Sequence, residues 1–109
     1  MIRAVLSSVM FLVIAFVIFS MPACSGRSSK PRVLVFAKTA GFYHQSIPDG
    51  MAAIQQMGAA NGFDVDTTRN AEWFTEDSLD KYAAVIFLST TGDVLNNYQE
   101  AAFERYIQA

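Results

Sequence analysis

Two stretches decide the fold: Arg32-Val-Leu-Val-Phe-Ala37 and Tyr82-Ala-Ala-Val-Ile-Phe-Leu88. Each is a short, continuous apolar run rich in β-branched or aromatic residues, the pattern of a strand buried on both faces. Pro31 and the polar stretch from Lys38 bound the first; Ser89-Thr-Thr-Gly-Asp93 follows the second. The run at 82–88 is the most apolar of the domain, which predicts a central strand. Between them Phe63-Asp-Val-Asp-Thr-Thr68 alternates apolar with polar, as a half-buried edge strand does.

Helical signals fill the gaps. Ser46-Ile-Pro-Asp49 opens a helix, with Ser46 as cap, Pro48 needing no amide partner and Asp49 at the positive end. Met51, Ile54 and Met57, with Ala53 and Ala60, make its apolar side, and Asn61-Gly62 ends it. Thr75 to Leu79 predicts a short helical turn, and Trp73 and Phe74 beside it read as a staple onto the sheet. Asn97 with Glu100 three residues on resembles a capping box, and Phe103, Tyr106 and Ile107 line one face of the helix that follows.

Strands separated by crossovers are parallel, and the crossovers are right-handed. The expected architecture is α/β: a flavodoxin-like doubly wound parallel sheet of order 2-1-3. The third strand is left with an open edge and the chain stops in a helix, so the expectation is a domain incomplete at its carboxyl end.

Residues 1–23 have a different character. They hold 18 apolar residues and a single charge, Arg3. Ala4 to Phe19 is a 16-residue uncharged run, shorter than the roughly 18–20 apolar residues a membrane span wants, and Pro22 follows it. This is the plan of an export signal. Ala23-Cys24 resembles a bacterial lipobox, although Met21 and Pro22 depart from that motif. The expected organisation is an export signal over 1–23, a lipid-anchored polar tether over 24–31 with the lipid on Cys24, and the domain over 32–109. The expected location is the cell envelope, held to the membrane through that lipid; the alternative is a secreted or periplasmic protein.

From residue 24 onward there are 7 basic and 10 acidic residues, 7 − 10 = −3, without a basic stripe. Nucleic acid is therefore excluded as a partner. One Cys and one His make neither an internal disulfide nor a zinc-spaced cluster, so no metal site is expected, and the sequence names no cofactor. Oligomeric state has no signal here.

Ligands of open α/β sheets sit beyond the carboxyl ends of the strands, where strand order reverses. In order 2-1-3 that place lies between strands 1 and 3. The loops leaving them, Lys38–Ile47 and Ser89–Leu95, carry the sole histidine, His44, together with Thr39, Thr90, Thr91, Gly92 and Asp93. An imidazole, hydroxyls, a carboxylate and amides beside glycine suit a polyhydroxylated or phosphorylated small molecule. His44 is the candidate acid/base and Asp93 its candidate partner. Lys38 is either a ligand group or solvated, and Phe42 and Tyr43 either wall a sugar pocket or pack under the loop. Ser46 is a cap or a ligand group; Thr90 and Thr91 bind ligand or satisfy backbone.

Thr39-Ala-Gly-Phe-Tyr-His-Gln-Ser-Ile47 and Tyr82-Ala-Ala-Val-Ile-Phe-Leu-Ser-Thr-Thr-Gly-Asp93, in this order and spacing, resemble the ThuA-like (trehalose-utilisation) domain. The resemblance covers 32–109. It implies a class I glutamine amidotransferase-like fold without the amidotransferase cysteine, and a link to carbohydrate use. It also places His44 on that family's first-loop histidine and Thr90 to Asp93 on its strand-3 loop. The family pattern continues past the last helix with a Gly-rich turn, a strand and a Gly-x-His segment. The expected function is binding, and as a finer expectation transformation, of a saccharide-type ligand. The alternatives are a non-catalytic carbohydrate-binding or interaction module, or a truncated product without independent activity.

Overall fold

The computed structural model describes residues 29–109. The expected export signal, Cys24 and most of the expected tether lie outside them. The element order is β1 (Arg32–Phe36), α1 (Ile47–Asn61), β2 (Asp64–Thr68), a 3-10 turn (Ala71–Trp73), α2 (Glu76–Leu79), β3 (Ala84–Phe87) and α3 (Asn97–Gln108). The three strands form one parallel sheet of order β2-β1-β3. Fold class and strand order are those the sequence predicts.

The central strand is β1, not the more apolar run at 82–88. Val33 pairs with Val65 on one side and Ala84 on the other, and Phe36 pairs with Thr68 and Phe87. Leu34, Val35 and Phe36 are fully buried, whereas Phe87 of β3 is 38% exposed. Both crossovers bring their strands back against β1, so β3 has a single neighbour among the described residues. The more apolar run is thus the less buried one: β1 has a strand on each side, β3 on one.

Side chains alternate across the sheet. Leu34, Phe36 and Val85 join Phe74, Leu79, Tyr82 and Ala102 in the main core. Its middle is aromatic: the ring centroids of Phe36 and Phe74 lie 4.6 Å apart, Phe36 and Phe87 5.5 Å, and Phe87 and Phe103 5.2 Å, in tilted or edge-on arrangements. Such pairs favour tilted and edge-on contact because the ring edge is positive and its face negative. Tyr82 Oη donates to Asp66 Oδ2 at 2.8 Å, and Tyr106 Oη donates to the Tyr82 carbonyl at 2.9 Å. Burial, and then the Asp66 carboxylate beside it, push the Tyr82 phenol up to about 12. Burial likewise raises Tyr106.

The opposite face is covered by α1, whose buried stripe shares Ile54, and half-buried Met51, with the expected one but not Met57, Ala53 or Ala60. Ile47, Ile54 and Gly58 are buried, while Met57 is 50% exposed and Ala53 and Ala60 face solvent. A Cβ on Gly58 would lie 2.7 Å from the Phe63 carbonyl oxygen and 2.8 Å from Val65 Cγ2. The helix thus approaches β2 through a glycine; its buried positions are Ile47, Ile54 and Gly58, with Gly50 and Met51 half-buried. Ser46 holds the cap position without a side-chain cap bond. At the other end Gly62 takes φ 77° and returns its amide to the Gly58 carbonyl, as its sequence position predicts.

Thr75 caps α2 by accepting from Ser78 N. The α3 box forms one residue earlier than expected: Asn96 accepts from Gln99 N at 3.0 Å, and Gln99 Oε1 accepts from Asn96 N at 2.9 Å. Phe103 and Tyr106 pack on the core, but Ile107 is 65% exposed. Phe74 is fully packed into the core while Trp73 is 37% exposed, so Phe74 is the main staple.

Candidate functional site

The hydrogen-bond ladder runs past the carboxyl ends of the strands. Leu88 N donates to the Phe36 carbonyl at 2.8 Å, and Ala37 N donates to that of Thr68 at 3.0 Å. Beyond them Thr39 and Thr91 form an isolated parallel bridge. The Thr91 carbonyl accepts from Ala40 N at 2.7 Å and from Gly41 N at 3.2 Å, and Thr91 Oγ1 donates to the Phe42 carbonyl at 2.7 Å. Loops 52 residues apart in sequence are therefore clasped into one ledge between β1 and β3, where strand order reverses.

Backbone geometry explains the residues used there. Gly92 has φ 73°, and a Cβ on it would lie 3.1 Å from both Ala40 Cβ and Gly41 N. A glycine is required by the left-handed conformation and by the close approach together. Ser89 also takes a positive φ, 50°, the one non-glycine among the described residues to do so. Non-glycine residues in that region are uncommon and concentrate at functional turns.

Phe42 is 72% exposed, and its ring meets the His44 imidazole edge-on at 5.0 Å between centroids. The His44 carbonyl accepts from Ile47 N at 3.1 Å, which ties the histidine to the first turn of α1. Lys38, Thr39, Thr90 and Thr91 are half-buried, and Tyr43, His44, Ser46, Gly92 and Asp93 are exposed. No hydrogen bond or ion pair joins His44 to Asp93 among the described residues. The Thr91 hydroxyl serves the Phe42 carbonyl, so Thr91 acts as a clamp. Ser46, without a cap bond, keeps its hydroxyl available. No group of three His, Cys, Asp or Glu side chains able to hold a metal gathers among the described residues.

One residue at this ledge escaped the sequence reading. Arg69 Nη2 donates to Tyr43 Oη at 3.1 Å, and the guanidinium carbon lies 5.2 Å from the centre of the Tyr43 ring. Arg69 follows Thr68, the partner of Phe36, so the parallel register puts it beside the start of the first loop. That register was the available signal; attention to the loops of strands 1 and 3 alone passes over the residue leaving strand 2.

A concavity of about 590 Å³ lies elsewhere, between the α2 turn and α3. Its polar lining includes Thr75, Asn96 and Gln99, whose side chains are already bonded in helix caps, and the Arg105–Glu76 ion pair. It is an open groove between helices whose polar groups are largely matched to each other. The ledge, by contrast, presents a ring, an imidazole and hydroxyls to solvent.

The family model for ThuA, described as trehalose utilisation, matches residues 32–109. The fold is similar to the crystal structure of a ThuA-like protein from Bacteroides uniformis, with a TM-score of 0.58 and 18% identity. The match covers 80% of this chain and 36% of that one. At this identity the likeness concerns the fold alone. A search of curated proteins finds no match.

Proposed function

The chain belongs to the ThuA family, linked to trehalose utilisation, and we propose that its domain binds and transforms a saccharide-type small molecule on the ledge between β1 and β3. The observation that carries this reading is the Thr39–Thr91 clasp, which assembles both sequence-predicted loops at the strand-order switch. Exposed Phe42 offers an apolar face to a sugar ring, and His44 stands against it as the general acid/base. Asp93 and the Thr90 and Ser46 hydroxyls are placed in the same two loops to bond sugar hydroxyls, with Lys38, Thr39, Tyr43 and Gly92 completing the ledge. Calorimetry of the full chain against a panel of neutral saccharides is the direct test. His44→Ala should weaken binding about tenfold, in line with loss of one or two site hydrogen bonds. Unchanged affinity removes His44 from the site.

His44 and Asp93, both exposed, share no bond among the described residues, which leaves a second reading, a non-catalytic binding module. Binding with no product in a turnover assay on the same saccharides selects it.

We further propose envelope anchoring through a lipid on Cys24, supported by Arg3, the apolar run Ala4–Phe19 and Ala23 before the cysteine. Metabolic labelling with palmitate in a bacterial host should mark the wild-type chain and not Cys24→Ser; equal labelling of both refutes the anchor.

A further inference from the structure

Three arginines lie in the described elements and the loops that join them. Two face acids: Arg32 lies 3.9 Å from Asp66, and Arg105 pairs with Glu76. Arg69 has no acid partner among the described residues, although the chain carries ten acids against eight basic residues. Among the described residues its one polar side-chain contact is the phenol of Tyr43, an exposed residue of the first site loop.

That contact does two things. The Tyr43 ring and hydroxyl hold a flexible side chain in one place, because the guanidinium both stacks on the ring face and donates to the oxygen. They also leave most of its five N–H donors unmatched, in a planar fork whose geometry fits carboxylate and phosphate oxygens. An unmatched guanidinium at the rim of a ledge that presents a ring, an imidazole and hydroxyls is suited to a ligand carrying both hydroxyls and an anionic group. Lys38, at the start of the same loop, adds a second positive charge, against Asp93 in the third-strand loop and Asp49 in the first turn of α1.

We infer that Arg69, positioned by Tyr43, is a specificity-determining residue that selects an anionic saccharide, one bearing a carboxylate or a phosphate. This rests on the saccharide reading of the ledge and sharpens its substrate class. The shared chemistry is an oxyanion attached to a sugar; its two sources separate by experiment.

The test is calorimetry of the full chain, at low and moderate salt, with glucose, glucuronate, glucose 6-phosphate and inorganic phosphate, on wild type, Arg69→Gln and Arg69→Lys. The residue is exposed, so the variants should keep the wild-type melting temperature. Wild type should bind at least one anionic sugar about tenfold more tightly than glucose, with the advantage shrinking as salt rises. Arg69→Gln should bring the ratio of anionic-sugar to glucose affinity close to one, and Arg69→Lys should restore part of the preference. A carboxylate site ranks glucuronate first, and a phosphate site ranks glucose 6-phosphate first. Equal binding of all three sugars by wild type, or an anionic preference that survives in Arg69→Gln, overturns the role of Arg69 and leaves the saccharide reading standing. Binding of inorganic phosphate with no sugar bound, or of no probe at all, overturns the saccharide reading together with this inference.

Discussion

The two faces of the sheet are packed by opposite means. On one, Phe36, Phe74, Phe87 and Phe103 fill the space between sheet and helices with rings. On the other, α1 comes down on β2 through Gly58 and passes Leu88 at Gly50, so closeness is achieved by missing side chains. The register puts Val33, Val35, Val65 and Ile86 on the α1 side and Leu34, Phe36, Val85 and Phe87 on the aromatic side. A face filled by volume is vulnerable to its removal. A face built on approach is vulnerable to its addition.

The largest test of this contrast is Phe36→Ala. The ring is fully buried and touches two others, so its loss should cost about 3–5 kcal/mol in denaturant-induced unfolding. A loss below about 1 kcal/mol would mean that the aromatic layer collapses freely and that its volume is not what holds it.

Next is Gly58→Ala, which adds one methyl to the other face. Alanine is the better helix former by about 1 kcal/mol. The new Cβ nevertheless meets the Phe63 carbonyl and Val65 at under 3 Å, and overpacking of this kind costs about 1–3 kcal/mol. Net destabilisation in thermal unfolding is expected. Gly50→Ala sharpens the point, because its Cβ meets only the far end of Leu88 at 3.1 Å and should be close to neutral.

Smallest is Tyr82→Phe, which keeps the ring and removes the hydroxyl. Losing the bond to Asp66 should cost about 1 kcal/mol at neutral pH. The pH profile distinguishes this polar contribution from volume. The folded phenol titrates near 12 against an ordinary value of 10, so the protonated form is favoured by folding. Its stabilisation is fully present below pH 10 and is lost as pH rises through 12. Wild type should therefore lose stability over that alkaline window, and the variant should lose less. Identical profiles would show that the phenol is not perturbed by folding.

Much of this was legible in the sequence, for local reasons. The runs at 32–37 and 82–88 were readable as strands, and the crossovers between them as the mark of a parallel sheet, although β3 is less buried than its apolarity suggests. Order 2-1-3 then places the His44 loop beside Thr91 without knowledge of a single contact. The α1 stripe was legible only in part, because hydrophobicity marks Met57 and Ala53 while the close approach selects Gly58, which has no side chain to count. The α3 cap was ambiguous because Asn96 and Asn97 each have a partner three residues on, Gln99 and Glu100. Arg69 was passed over because its place beside Tyr43 depends on the β1–β2 register, which no local pattern marks.

The doubled acceptance at the Thr91 carbonyl has a thermodynamic consequence. Ala40 and Gly41 are held by the same ladder that joins β1 to β3, so this part of the first loop is locally as stable as the strand ends that carry it. A ligand settling there has little chain entropy to remove, and its affinity reflects contact more than ordering. The ledge is, in that sense, preorganised by the last rungs of the sheet.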